Sequence, residues 1–235
     1  MKWILITGSN RGIGFGLVRQ YLQQPGTFIF ATCRDPDRAD SLRNLAASYP
    51  DRIQIVELDV TDASTTEQAA RLVRRRTNFL DVLINNAGIN PPRDQQTLET
   101  VTPETMQSVF EVNTIGPLVV TRTFIDLLRA AENPKLIMMS SQMGSLERTH
   151  SGRSYAYCAS KAALNMVMRL IAAELSQSGI TTITLHPGWV QTDMGGSTAR
   201  LTVEEAAQGV ISVIENVTIQ DNGEFFNWNG ERLPW

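Results

Sequence analysis

Two cysteines and two histidines among 235 residues leave little disulfide or metal chemistry to build with. Cys33 and Cys158 lie far apart and show no CxxC spacing, which excludes a disulfide framework and a thiolate metal site. His150 and His186 are too few to assemble a zinc site, so no metal is expected. Long apolar runs are also missing. Residues 1–6 are too short for a signal peptide and pass straight into a glycine-rich turn. No stretch approaches the length of a membrane span. Nor is there an excess of positive charge. Against 24 Asp and Glu stand 21 Lys and Arg, for a net charge of −3, which argues against nucleic acid as the main partner. The densest basic run, residues 71–76, reads as the solvated end of a helix. Linkers, repeats and low-complexity tracts are absent as well. These absences predict a soluble cytoplasmic protein, one domain over residues 1–235, with no membrane or nucleic-acid partner.

What is present is a regular alternation. Short, almost wholly apolar runs predict strands at 3–7, 27–32, 53–57, 82–85, 135–140, 181–186 and 223–228. Amphipathic stretches predict helices at 14–23, 37–47, 65–76, 103–113 with a continuation to 129, 155–176 and 202–215. Strands without apolar–polar alternation belong in a parallel sheet buried on both faces. Repeated βα units with short loops predict a doubly wound, Rossmann-type α/β fold of about seven strands with helices on both faces.

The first strand leads into Gly8-Ser9-Asn10-Arg11-Gly12-Ile13-Gly14, which opens a helix. Glycines let a diphosphate approach backbone N–H groups, and the helix N-terminus favours its charge. The spacing is GxxxGxG, and a tight βα turn without ligand also fits it. At the tip of the second strand stand Arg34 and Asp35. An arginine there pairs with a 2′-phosphate and selects NADP(H); an acidic residue accepts from free ribose hydroxyls and selects NAD. Arg34, Arg38 and Arg11 read as one phosphate clamp. If the strand runs one residue further, Asp35 becomes the ribose reader.

Tyr157 and Lys161 lie four apart at the start of a helix, on one face. Free tyrosine titrates near pH 10, and a nearby ammonium lowers that value toward neutrality, where acid–base catalysis is efficient. The pattern is short, and a half-buried tyrosine beside a surface lysine fits it too. Its surroundings strengthen it. Ser141 ends the fifth strand, Asn85-Asn86-Ala87-Gly88 the fourth and His186-Pro187-Gly188 the sixth, all at the carboxyl edge where such sheets bind ligands.

With these motifs in order, the chain resembles the classical short-chain dehydrogenase/reductase family over nearly its whole length. Thr7-Gly8 through Gly14, Asn85 to Gly88, Asn113, Ser141, Tyr157, Lys161, Pro187-Gly188 and Thr192 carry the likeness. Within the family, TGSNRGIG, TCRDPDRA, SSQMGS, YAYCASKAALN, HPGWVQTDMGG and NGEFFNWNGERLPW resemble the sniffer and C-factor group of carbonyl reductases. The resemblance implies NADPH-dependent reduction of small-molecule ketones, aldehydes and quinones, with Tyr157 as general acid. It implies that Lys161 binds the nicotinamide ribose and lowers the tyrosine pKa, and that Ser141 orients the carbonyl. Asn113 would sit on a bent helix and hold a relay water. Asp59 and Val60 would meet the adenine; Asn86, Ala87 and Gly88 the adenosine side; Ile13 the diphosphate; Val190 and Thr192 the carboxamide. Arg34 and Arg38 match the basic positions of NADP-preferring members. A homodimer or homotetramer is implied, as is one rival function, a cofactor-binding signalling protein of C-factor type; a second rival, an NAD-dependent alcohol dehydrogenase, rests on Asp35.

Two departures bear on substrate choice. The interval from Ser141 to Tyr157 is longer than in many members, which predicts a loop over the site at 146–152 that includes His150, read as a solvated loop histidine. Residues 195–201 form a brief lid, which predicts an open pocket with Ile89, Met143, Trp189 and Met194 as candidate walls.

Overall fold

The computed structural model describes residues 1–148 and 152–235; His150 lies outside the described residues. Seven strands form one sheet: β1 Lys2–Ile6, β2 Thr27–Cys33, β3 Ile53–Glu57, β4 Val82–Asn85, β5 Lys135–Met139, β6 Thr181–His186 and β7 Phe225–Asn227. Their order is β3-β2-β1-β4-β5-β6-β7, and every pairing is parallel. The order reverses between β1 and β4, so the crevice beyond their carboxyl ends is where the fold receives a ligand. This is the predicted architecture.

Among the described residues seven α-helices cover the sheet: α1 Gly12–Gln23, α2 Asp40–Ser48, α3 Ala63–Arg74, α4 Pro103–Phe110, α5 Gly116–Arg129, α6 Tyr155–Glu174 and α7 Val203–Asn216. The strands' alternating side chains divide between two cores. Ile4, Ile6, Ile29 and Ala31 pack with Leu17, Tyr21 and Val210 on one face. Leu5, Phe28 and Phe30 pack with Val73, Phe124, Leu164 and Met168 on the other. None of the described helices is long and apolar enough to cross a membrane.

The expected helix from 103 to 129 is interrupted. It widens into a π turn over Glu111–Ile115 before α5 begins. Pro117 explains the position: it has no N–H for the carbonyl of Asn113, four residues earlier, and its ring crowds that carbonyl in a regular helix. The bend predicted at Asn113 is therefore a change of helical pitch.

Candidate active site

The glycine-rich turn is held from behind by the loop after β4. Thr7 Oγ1 accepts from the N–H of Asn86 (2.9 Å) and of Ala87 (3.0 Å), and Asn86 Nδ2 donates to the carbonyls of Thr7 (2.9 Å) and Gly8 (3.2 Å). Gly14 sits where these meet; a Cβ there would lie 2.2 Å from the Gly8 oxygen and 2.6 Å from Asn86 Nδ2. Gly12, with φ +54°, borders Thr192 across the crevice. The side chain of Arg11 makes no cap on α1, so the α1 N-terminus at Gly12, Ile13 and Gly14 faces the crevice with its dipole uncompensated by a side chain. A narrow turn, a helix N-terminus and no side-chain plug fit a dinucleotide diphosphate. Asn86 and Ala87 thus act first as braces of this turn, with Asn10 exposed at its tip.

β2 runs to Cys33, one residue past the expected end. That was the condition for Asp35 to read the ribose. Its carboxylate instead caps the short turn Pro36–Arg38, accepting from the Arg38 N–H at 3.2 Å. Arg34 remains the first residue beyond the strand and is exposed, as is Arg38. The expected clamp of three guanidiniums is not formed: Arg11 is drawn across to Asp193, 2.7 Å away on the loop after β6. Asp59, beyond β3, holds Thr61 through its N–H and hydroxyl at 2.9 and 2.8 Å. Val60 is buried against the backbone of Gly116.

Ser141, Tyr157, Lys161 and Asn113 come together beyond β4 and β5, each buried. Ser141 hydrogen-bonds Tyr157, and its Oγ accepts from Met143 N–H at 3.2 Å. Lys161 Nζ donates to the Met139 carbonyl (2.9 Å) and lies 5.8 Å from the centre of the Tyr157 ring. Burial pushes the phenol up to about 12, with the Ser141 hydrogen bond opposing. Burial also brings the Lys161 ammonium down to about 8. The expected lowering of the phenol is therefore corrected: desolvation outweighs an ammonium that is tied to a carbonyl and is itself weakened by burial. A phenol above the working pH is protonated, the form that gives a proton away.

Asn113 lies in the π turn with its side chain fully engaged. Oδ1 accepts from Ile89 N–H (2.8 Å), and Nδ2 donates to the Ile89 carbonyl (2.8 Å) and Ser160 Oγ (3.1 Å). Pro117, four residues on, has no N–H to offer the Asn113 main-chain carbonyl. His186 is held down to about 4, chiefly by burial and further by Arg148, so it is neutral at pH 7 and offers no second acid there.

Pro187 and Gly188 turn the chain after β6. Gly188 takes φ +89°, and a Cβ would strike Leu201 at 2.3 Å. Val190 is buried, and Thr192 Oγ1 accepts from Gly195 N–H at 3.1 Å, closing a tight loop. Trp189 and Met194 are exposed beside it, Ile89 and Met143 half-buried. Leu98 (72% exposed) and Leu146 (80% exposed) are further exposed apolar groups.

Two buried side chains escaped the sequence reading. Asn165 accepts from Ser140 Oγ (2.7 Å) and donates to the Gly144 carbonyl (3.1 Å), fastening the Ser141 segment to α6. It sits four residues after Lys161, a spacing that signals a shared helix face. Gln96 bonds to the first turn of α6 from an irregular loop, and no local pattern announces it. Among the described residues no group of His, Cys, Asp or Glu is arranged to hold a metal.

Residues 2–201 match the family model of the short chain dehydrogenases. The structure superposes on carbonyl reductase Sniffer of D. melanogaster with a TM-score of 0.96 at 34% identity, covering 100% of both chains. It superposes on NADPH-bound carbonyl reductase from chicken fatty liver with a TM-score of 0.94 at 38% identity, covering 100% of this chain and 99% of that one. The C-signal of Myxococcus xanthus is 40% identical over 159 residues, 68% of this chain and 95% of that protein.

Proposed function

Because the chain belongs to the short-chain dehydrogenase family, we propose that it is an NADPH-dependent carbonyl reductase, converting ketones, aldehydes and quinones to alcohols with Tyr157 as general acid. The observation that carries this reading is the gathering of Ser141, Lys161 and the buried Tyr157 at one edge of the sheet, with Lys161 Nζ 5.8 Å from the phenol ring. Ser141 holds the carbonyl oxygen, and Tyr157 delivers the proton to it as negative charge develops. Lys161 resupplies the charge balance near the phenol, and a water on the Asn113 carbonyl leads to solvent. When bound, the nicotinamide cofactor supplies the hydride. Gly8, Asn10, Arg11, Gly12, Ile13 and Gly14 would cradle its diphosphate, with Asn86, Ala87 and Gly88 behind. Asp59 and Val60 would meet the adenine. Pro187, Gly188, Val190 and Thr192 would border the nicotinamide, with Tyr157 and Lys161 at its ribose. Arg34 and Arg38 would take the 2′-phosphate, and the engagement of Asp35 as a cap supports NADP over NAD.

Exposed Leu98, Leu146, Trp189 and Met194 favour flat, apolar carbonyl compounds. Exposed Ile115 and Leu118, together with Met166 and Leu170 on α6, support pairing of two copies; light scattering after gel filtration reads this directly. The test of function is NADPH oxidation with a quinone, an isatin-like diketone and an aromatic aldehyde. Binding of NADPH without turnover of any of them overturns the proposal. Tighter binding of NADH than NADPH would make the chain an NAD-dependent alcohol dehydrogenase instead. Similarity to the C-signal favours a second reading, a cofactor-dependent signal. Under that reading Gly12→Ala abolishes the biological output while Tyr157→Phe leaves it intact.

A further inference from the structure

We propose that Gln96 is a positioning residue for Tyr157: its buried amide caps the first turn of α6 and so sets where the phenol stands. The proposal rests on the reading of Tyr157 as proton donor.

A helix start leaves its first N–H groups without intrahelical partners. Usually the residue before the helix supplies an oxygen from an extended conformation. Ser154, which precedes α6, cannot: it is left-handed, with φ 57° and ψ 47°, and makes no side-chain cap. Gln96 takes over from fifty-odd residues upstream. Its carbonyl accepts from Tyr155 N–H at 3.2 Å. Its Oε1 accepts from Tyr157 N–H at 3.0 Å. Its Nε2 donates to the Pro91 carbonyl (2.5 Å) and to Asn90 Oδ1 (3.0 Å). With acceptors on one side and a donor on the other, the amide has one orientation only. The residue is fully buried, so water cannot replace a lost bond there.

The chain of contacts extends further. Ile89, next to Asn90, exchanges two hydrogen bonds with Asn113. The loop from Ile89 to Gln96 therefore ties the π turn to the residue that carries the phenol. Loss of the amide leaves the Tyr157 N–H unpaired and frees the first turn of α6 to shift. A displacement of about 1 Å at a reacting group costs on the order of 100-fold in rate.

Gln96→Met keeps the volume and removes both hydrogen-bonding groups. In the cofactor-free protein, amide hydrogen exchange at Tyr157 is expected to speed up at least about tenfold. In NADPH-driven reduction, kcat is expected to fall about 10- to 100-fold, with KM for NADPH changed less than about threefold. In a Tyr157→Phe background the same change is expected to cost nothing further, because the geometry it protects no longer matters. An equal fractional loss in both backgrounds means general damage and overturns the proposal, as does unchanged exchange or unchanged kcat. If Tyr157→Phe itself retains full turnover, the donor reading fails and this proposal with it. If Tyr157→Phe is inactive and Gln96→Met is not, only this proposal fails. Should Gln96→Met not fold, Asn90→Ala removes one anchor of the same amide. Its expected loss is about fivefold, with the same absence of effect behind Tyr157→Phe.

Discussion

The two sides of the crevice are built differently. On the cofactor side, the turn after β1 is shaped by backbone: glycines at tight approaches, two N–H groups on Thr7 Oγ1, one amide on two carbonyls. On the substrate side, Ser141, Tyr157 and the loops around them are held by buried side-chain amides, those of Gln96, Asn113 and Asn165. Backbone construction tolerates almost no added atom. Side-chain construction leaves exposed apolar residues such as Leu146 free to vary. One side is thus suited to an unchanging ligand and the other to changing ones.

The largest effect should come from the substrate side. Tyr157→Phe is expected to lower carbonyl reduction about 1,000-fold, the middle of the range for a lost general acid, while NADPH affinity, followed by fluorescence titration, changes far less. Equal losses in both would erase the distinction. Gly14→Ala is the counterpart. Its Cβ would strike the Gly8 oxygen, so we expect about 1–3 kcal/mol of lost stability in thermal or urea unfolding and a parallel loss of NADPH binding. Normal binding in that variant would show the turn to be more pliant than its contacts suggest.

The pH profile separates the sides next. Tyr157, pushed up to about 12, stays protonated through the working range. Lys161, brought down to about 8, carries its charge below that pH and loses it as pH rises. The rate of reduction, as kcat/KM, should therefore be level below pH 8 and fall above it by about tenfold per unit, with NADPH affinity following less steeply. A profile that climbs through pH 8 would break the assignment. Arg34→Ala should weaken NADPH about tenfold, near the lower end for a charged hydrogen bond, and leave NADH unchanged in the same titration. Leu146→Ser should be the mildest, within about 0.5 kcal/mol in stability as for other exposed positions, and visible only in KM for bulky carbonyl compounds.

The same division explains what could be read before the structure. Alternating apolar runs and segment lengths carry the sheet, because its inner strands are buried on both faces. The glycine turn and the Tyr157–Lys161 pair are legible because the residues of each motif are near neighbours in sequence, whereas the braces of the turn, Asn86 and Ala87, come from the loop after β4. β2 extends one residue beyond the predicted end and Asp35 is a cap, a register that Arg34 and Asp35 side by side leave open. The clamp of three arginines failed because Asp193, far along the chain, competes for Arg11. The tyrosine pKa was expected to fall; nothing in YxxxK records how deeply the pair is buried. Gln96 was invisible for the same reason that it matters, its partner being on another element.

The π turn at Glu111–Ile115 makes chain length itself a constraint. A wide turn holds one residue more than a regular helix would over the same rise. Removing a single residue there would restore ordinary winding, and it would turn the residues inside the wide turn, though not the flanking helices, to new directions. Asn113 would then face away from Ile89 and Ser160 although no contact residue had been exchanged. Among descendants of this chain, substitutions around Asn113 can be tried one by one, whereas a deletion there undoes the whole junction in one event.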